Sequence, residues 1–405
     1  MLLSNYGYRK YFLYFWNGVD ILKLMHLSDL HLGKSVLEQS MILDQKYIID
    51  KIINIVKDRQ IDIVMIAGDI YDKGIPSIEA VNLFSSFLTR LYKLGVKVLV
   101  ISGNHDSKDR LAFGNELFID NGVYIESIFN GILRKEVFED DNGKLNIFML
   151  PFIKPADVRV WYPDLPINSY NDAVKAIIDN TEINKSERNI IMVHQFVTAS
   201  GVDIERSESE TISLGGIDNV DVSLFDDFDY VAMGHVHGAQ KLIRDTVRYA
   251  GSPLKYSFSE VNQKKSVPVI EINSKDDIKI DLVELEPIRD MRIIKGPILK
   301  LLSKDVYSLG NRDDYINAII TDDDYVVNAI GKLRKVYKNV LKLEYSNNRN
   351  LLDSNVINKV SNDMKDKSPL DLFKDFYLEQ NNIELDVKRE KILSDVIKEL
   401  VDETN

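Results

Sequence analysis

The chain contains no cysteine among its 405 residues. That excludes a disulfide framework and thiolate metal sites, and it fits a reducing cytoplasm. Positive charge is also in short supply. Against 63 Asp and Glu stand 51 Lys and Arg, giving a net charge of −12 and an isoelectric point near 5.1. A chain so balanced does not hold nucleic acid by bulk attraction, so any such substrate needs a local positive site or a basic partner. The N-terminal stretch has neither the apolar length nor the small-residue cleavage site of a signal peptide, and its apolar run is too short to span a bilayer. It is aromatic instead, with Tyr6, Tyr8, Tyr11, Phe12, Tyr14, Phe15 and Trp16. Residues 1–21 are read as a non-functional extension. An alternative initiation codon at Leu22, where the domain proper begins, would account for it.

What is present is an alternation of short apolar runs and helical stretches. With 45% hydrophobic residues the chain can build one large core and one or two smaller units. Leu22–Leu27, Ile61–Ala67 and Val96–Ser102 read as buried strands. Met41–Val56 reads as a helix with Ile48, Ile52 and Ile55 on one face, and Pro76–Leu94 as a helix opened by its proline. Later strand candidates are Leu145–Leu150, Asn189–Val193, Tyr230–Met233 and Val267–Ile272. Strands separated by helices imply an α/β core whose sheet is at least partly parallel. From about Glu286 the character changes. Met291–Tyr345 reads as a unit of two strands and two helices, with Tyr325–Tyr337 as one helix. Ser346–Lys367 reads as a polar linker. Pro369–Leu378 and Val387–Leu400 read as amphipathic stretches with Phe373, Phe376, Ile392, Val396 and Leu400 as the apolar stripe.

Polar signatures follow directly on the strand candidates: Asp29-Leu30-His31, Gly68-Asp69-Ile70-Tyr71-Asp72, Gly103-Asn104-His105-Asp106, His194, and Gly234-His235-Val236-His237. Ligands of open α/β sheets bind beyond the carboxyl ends of strands, so these residues converge. Asp29/His31 and His235/His237 are two apart, which in extended backbone puts both side chains on one face. Neighbouring glycines permit tight turns and close backbone approach. Of the six histidines, five lie inside these signatures. The sixth, His26, reads as a hydrogen-bonded core residue. Imidazole, carboxylate and amide ligands together suit Mn, Fe or Zn. Seven are too many for one ion and suit two ions sharing a bridging carboxylate, roughly 3.5–4 Å apart. Asp106 reads as a turn or hydrogen-bonding residue.

In this order the signatures resemble the calcineurin-like metallophosphoesterase superfamily, and within it the SbcD family of repair nucleases. The resemblance runs from about Leu22 to Leu400. It includes the segments 228–237, 251–260 and 333–340 and the tail 368–373. It implies a metallophosphoesterase β-sandwich flanked by helices over 22–286, a small α+β capping domain over 287–345, a linker over 346–367 and a partner-binding helical tail over 368–405. Carried over by position, Asp29, His31 and His237 hold one metal, Asn104, His194 and His235 hold the second, and Asp69 bridges them. His105 stabilises or protonates the leaving oxygen, and Asp72 orients His105. The resemblance further implies two divalent ions, favouring manganese, with exonuclease action on DNA ends and endonuclease action on single strands or hairpins. Those activities serve repair, recombination and replication. The implied partners are an SbcC-type ATPase and a second copy of this subunit, a homodimer within a heterotetramer in the cytoplasm, with no membrane involved. Two positions depart from the pattern or vary within it: some relatives carry histidine at Asp72, and relatives usually have proline where Lys338 stands.

Two rival readings use the same motifs. A phosphatase for smaller phosphoesters has no use for the second module and tail, and a regulatory subunit that has lost catalysis would lack ligands that this chain keeps. Lys34, Lys73 and Arg110 lie beside the motifs and could meet DNA phosphates, but surface cations of this kind are more often solvated and are left outside the site.

Overall fold

The strands Lys23–Leu27, Ile63–Ala67 and Lys97–Ile101 are almost continuous apolar runs, and each is buried. Such strands have no polar face to offer water and must be covered on both sides. The computed structural model shows how. It describes residues 13–15, 21–210, 218–275, 277–324, 326–346, 368, 370–371, 373–374, 377–378 and 383–402. The three strands sit side by side and parallel in a six-stranded sheet. Its order is Asp277–Glu284, Ser266–Ser274, Lys23–Leu27, Ile63–Ala67, Lys97–Ile101 and Val123–Glu126. A second sheet runs Leu13–Phe15, Arg134–Asp140, Gly143–Leu150, Arg188–Val193, Tyr230–Met233, Val247–Tyr249 and Gln240–Lys241. Its central strands are also parallel.

The two sheets face each other. Leu24, Ile63, Met65, Leu99 and Tyr124 of the first meet Phe138, Leu145, Ile147, Met149, Ile190 and Met192 of the second. Strand alternation sends the intervening residues outward. On the first sheet, Met25, Val64 and Ile66 pack with Ile48, Ile52, Phe84 and Phe87 of the helices Ile42–Arg59 and Ile78–Lys93. On the second, Phe148, Ile191 and Val231 pack with Val174 and Ile177 of the helix Tyr170–Asp179. The result is a helix–sheet–sheet–helix sandwich. The second helix starts later than its proline suggested: Ser77 is the cap, its Oγ accepting from the Ala80 N–H at 3.2 Å, and Pro76 precedes it.

His26 lies on the inner face, wholly buried, with Nδ1 3.1 Å from Tyr230 Oη. Burial pushes its pKa down to about 3, so it stays neutral. At one end of the sandwich Arg188 forms a bidentate pair with Asp140, at 2.5 and 3.1 Å, and both residues are buried. Asp140 also accepts from the Leu22 N–H. Asp140→Ala leaves a buried guanidinium without its counter-charge, and is expected to cost about 3–5 kcal/mol in denaturant unfolding. Three residues of the N-terminal segment, Leu13–Phe15, pair in parallel with Arg134–Asp140; residues 1–12 and 16–20 lie outside the described ones.

The chain divides into two compact units, residues 1–292 and 293–405. The second contains a sheet in the order Met291–Gly296, Tyr315–Ile320, Asn339–Tyr345, the first strand straddling the division. Among the described residues it therefore has three strands rather than two. Short helices Ile298–Leu301, Lys304–Tyr307 and Ala329–Arg334 close a core of Ile298, Leu301, Ile316, Leu333, Tyr337 and Val340. The helix expected over 325–337 is confined to Ala329–Arg334, and Tyr325 lies outside the described residues. So do residues 347–367, which hold nearly all of the expected linker, and Pro369 and Phe376. Val387–Asp402 is helical.

Candidate metal centre

Each polar signature begins where a strand ends. Asp29 and His31 follow Lys23–Leu27, Asp69 and Asp72 follow Ile63–Ala67, and Asn104 and His105 follow Lys97–Ile101. His194 follows Arg188–Val193, and His235 and His237 follow Tyr230–Met233. Parallel strands deliver these loops to one edge. The backbone there is not extended. Asp29, His31, Asp69 and His235 have φ of 53°, 43°, 51° and 95°. Left-handed backbone of this kind costs energy in non-glycine residues and is tolerated at functional sites. The i, i+2 pairs thus converge through tight turns, not through strand alternation. Gly103 and Gly234 make room. A Cβ on Gly103 would lie 2.1 Å from Asp69 Oδ1, and one on Gly234 1.9 Å from the Ala67 carbonyl oxygen.

Asp29, His31 and His237 each present a ligand atom to one point. His31 Nε2 lies 3.0 Å from His237 Nε2 and 3.6 Å from Asp69 Oδ2. On the other side Asn104 Oδ1 lies 3.1 Å from His194 Nε2 and 2.9 Å from His235 Nδ1, and His194 Nε2 lies 3.4 Å from Asp69 Oδ2. Asp69 therefore touches both groups, and its Oδ1 also accepts from the His105 N–H at 2.9 Å. His105 Nδ1 donates to the Asp72 backbone oxygen at 3.0 Å, while the Asp72 carboxylate pairs with Lys34 at 2.8 Å. Contact between Asp72 and His105 is thus made through the peptide carbonyl. Asp106 accepts from the N–H groups of Gly103, Ile70 and Tyr71, which ties two of the site loops together.

Residues 22–239 match the family described as calcineurin-like phosphoesterase. The SbcD subunit of the nuclease SbcCD from Staphylococcus epidermidis is 31% identical over 80% of this chain and 85% of its own length. This chain is a calcineurin-like phosphoesterase of the SbcD type. Residues 287–381 match a second family, described as type 5 capsule protein repressor C-terminal domain. Among solved structures, a Thermus thermophilus protein is 11% identical with a TM-score of 0.39. A Danio rerio dimetal phosphatase is 10% identical with a TM-score of 0.37. In each case 66% of this chain and all of the other are covered.

Calcineurin-like phosphoesterases use divalent cations, and the donor set of this SbcD-type chain fits them. Neighbouring ligands of one cation, bound at about 2.0–2.2 Å, lie roughly 3–3.5 Å apart, close to the 2.9–3.6 Å found here. The electrostatics agree. Burial raises the Asp29 carboxyl to about 6. It would raise Asp69 too, but the neighbouring His194 holds Asp69 well below the usual carboxylate range. Burial opposes charge on His194, yet Asp69 outweighs it and lifts that imidazole to about 9. A cation held by His194 would have to expel that proton. Metal binding is expected to release protons at neutral pH and to strengthen as pH rises from about 6 to about 9. Calorimetry in buffers of different ionisation enthalpy checks this.

Residues behind the candidate ligands were not singled out by sequence reasoning: Ser209, Glu210, Glu260 and Lys265 surround His237. Glu210 Oε1 accepts from the His237 N–H at 2.8 Å. Glu260 ends the segment 251–260 that carries part of the family resemblance, which was the available signal for it.

Proposed function

We propose that this chain is the nuclease subunit of an SbcCD-type complex, hydrolysing phosphodiester bonds at DNA ends and hairpins with a pair of divalent cations. The observation that carries the reading is the convergence of two donor sets on one shared carboxylate, Asp69, with His105 beside them. Asp29, His31 and His237 would hold one cation, Asn104, His194 and His235 the other, and Asp69 both. When bound, the pair supplies a nucleophile at neutral pH and positive charge for the phosphoryl oxygens. It also answers the acidity of the chain, since it sets four positive charges against two aspartates at the place where phosphate must come. Manganese is the favoured ion.

His105 does the proton work. A carbonyl only accepts, so the bond to the Asp72 oxygen keeps a hydrogen on Nδ1; in the imidazolium form Nε2 carries the second proton, which passes to the leaving oxygen and leaves the ring neutral. The His105 ring centroid lies 4.9 Å from that of His31, next to the first donor set. Asp72 holds His105 through its carbonyl and Lys34 through its carboxylate.

The second unit serves as a cap that restricts which DNA reaches the cations, and the tail from residue 368 binds the coiled-coil ATPase. The place of action is the cytoplasm, where the DNA lies. No helix among the described residues is long and apolar enough to cross a membrane. A homodimer accounts for an otherwise unexplained apolar surface. Phe113 is 84% exposed, and it borders a cavity of about 530 Å³ lined also by Val81, Phe84, Leu88 and Phe118. Phe113→Asp is expected to halve the molar mass measured by light scattering.

The test compares the chain alone and with its ATPase on end-labelled duplex, hairpin and single-stranded DNA in manganese, beside a small aryl phosphoester. Cleavage of the DNA substrates supports the reading. Turnover of the small ester alone would replace it with a phosphatase.

A further inference from the structure

His237 is held from behind by a hydrogen-bond chain that dictates which of its nitrogens faces the cation. We infer that Ser209 and Glu260 are positioning residues whose relay fixes the hydrogen of His237 on Nδ1 and so keeps Nε2 open as a metal ligand. This inference rests on the metal-centre reading above.

The two nitrogens of the ring have different surroundings. Nε2 points into the donor set, 3.0 Å from His31 Nε2. Nδ1 points away from it, 2.7 Å from Ser209 Oγ. Ser209 Oγ lies in turn 2.6 Å from Glu260 Oε1. Glu260 is wholly buried, and its other oxygen takes the Lys265 ammonium at 2.7 Å. Lys265 is itself buried and also donates to the His237 carbonyl at 2.9 Å and to Ser252 Oγ at 2.9 Å. Backbone and ring of His237 are therefore gripped together, because Glu210 takes its N–H.

The direction of the chain follows from counting hydrogens. An ammonium only donates, and a carboxylate paired with it only accepts. The contact between Ser209 and Glu260 thus needs the one hydrogen that Ser209 owns. Ser209 then has only lone pairs for His237, so Nδ1 must be the donor. A neutral imidazole with its hydrogen on Nδ1 has its lone pair on Nε2, which is what a cation requires. Ser207 Oγ, 2.8 Å from Ser209 and 3.0 Å from Glu210 Oε1, can donate to either without disturbing this order. Metal-bound histidines commonly lean on a carboxylate directly; here the carboxylate oxygen is 3.7 Å from Nδ1 and the serine carries the contact.

Glutamine at position 260 makes the opposite order. The Lys265 ammonium, 2.7 Å from that end, would face the amide oxygen rather than a second donor, turning the amide NH₂ toward Ser209. Ser209 would then accept from the amide and give its hydrogen to His237 Nδ1, moving the ring hydrogen to Nε2 and blocking the ligand.

The test uses the full chain with ¹⁵N-labelled histidine, tractable because there are only six such rings. Tautomers are read by NMR on metal-free protein and Mn²⁺ binding by calorimetry. In the wild type His237 should carry its hydrogen on Nδ1. Ser209→Ala should weaken one of the two Mn²⁺ sites about 10–100-fold and leave the other, Ser209→Thr should restore it, and Glu260→Gln should move the hydrogen to Nε2. A wild-type His237 protonated on Nε2, or a Ser209→Ala protein that binds both ions as tightly as the wild type, overturns the inference. A wild type that binds no Mn²⁺ sinks the metal-centre reading instead, and the tautomer in the metal-free protein still decides this one.

Discussion

Replacing His105 with alanine is expected to leave two cations bound and to slow DNA cleavage by about 10²–10⁴-fold, the usual contribution of a placed proton donor. On the proposed reading, two adjacent residues have separable roles. Asn104 turns inward and meets His194 and His235 through its amide oxygen. His105 turns the other way and is fixed at Nδ1 by the Asp72 carbonyl, so removing the ring deletes no atom of either donor set. The backbone N–H that binds Asp69 survives the substitution. Metal content measured by elemental analysis should match the wild type, while single-turnover cleavage of a hairpin collapses. Full activity in the variant would show that protonation of the leaving oxygen comes from elsewhere.

Asp69→Asn has the second large effect, and by a different route. One carboxylate oxygen lies 3.6 Å from His31 Nε2 and 3.4 Å from His194 Nε2, so it belongs to both sets. The other takes the His105 N–H and anchors the Asn104–His105 loop. An amide loses the negative charge that offsets two cations and turns one acceptor into a donor. The charge stabilisation at stake is several kcal/mol, so about a thousandfold or more in cleavage rate should disappear. Calorimetry should find at most one cation per chain. Unlike His105→Ala, this variant fails in binding before it fails in chemistry.

How much of this could be read from residues alone differs from one part of the chain to another. The strands Ile63–Ala67 and Tyr230–Met233 were legible because a parallel strand between two layers has no choice but to be apolar throughout. Arg134–Asp140 was not. It is a strand with charges on most of its positions, and what makes it one is pairing with Gly143–Leu150, a tertiary fact. In 291–345 one strand of the three escaped for a related reason, since the pairing partners Met291–Gly296 and Tyr315–Ile320 are separated by two short helices. At the site the convergence of the polar signatures on one edge was legible, and so was His26 as a core residue apart from them. The left-handed backbone of Asp29 and His31 was not, because aspartate and histidine do not announce positive φ as glycine does. The Ser209–Glu260–Lys265 chain was least visible. Serine, glutamate and lysine are ordinary surface residues in isolation, and only their placement beside His237 gives them a task.

Anomalous diffraction at the manganese edge, from crystals grown in Mn²⁺, bears most directly on the paired-cation centre. Two peaks are expected roughly 3.5–4 Å apart, with Asp69 between them and the remaining six donors divided three and three. A single peak, peaks remote from Asp69, or no bound manganese would contradict it.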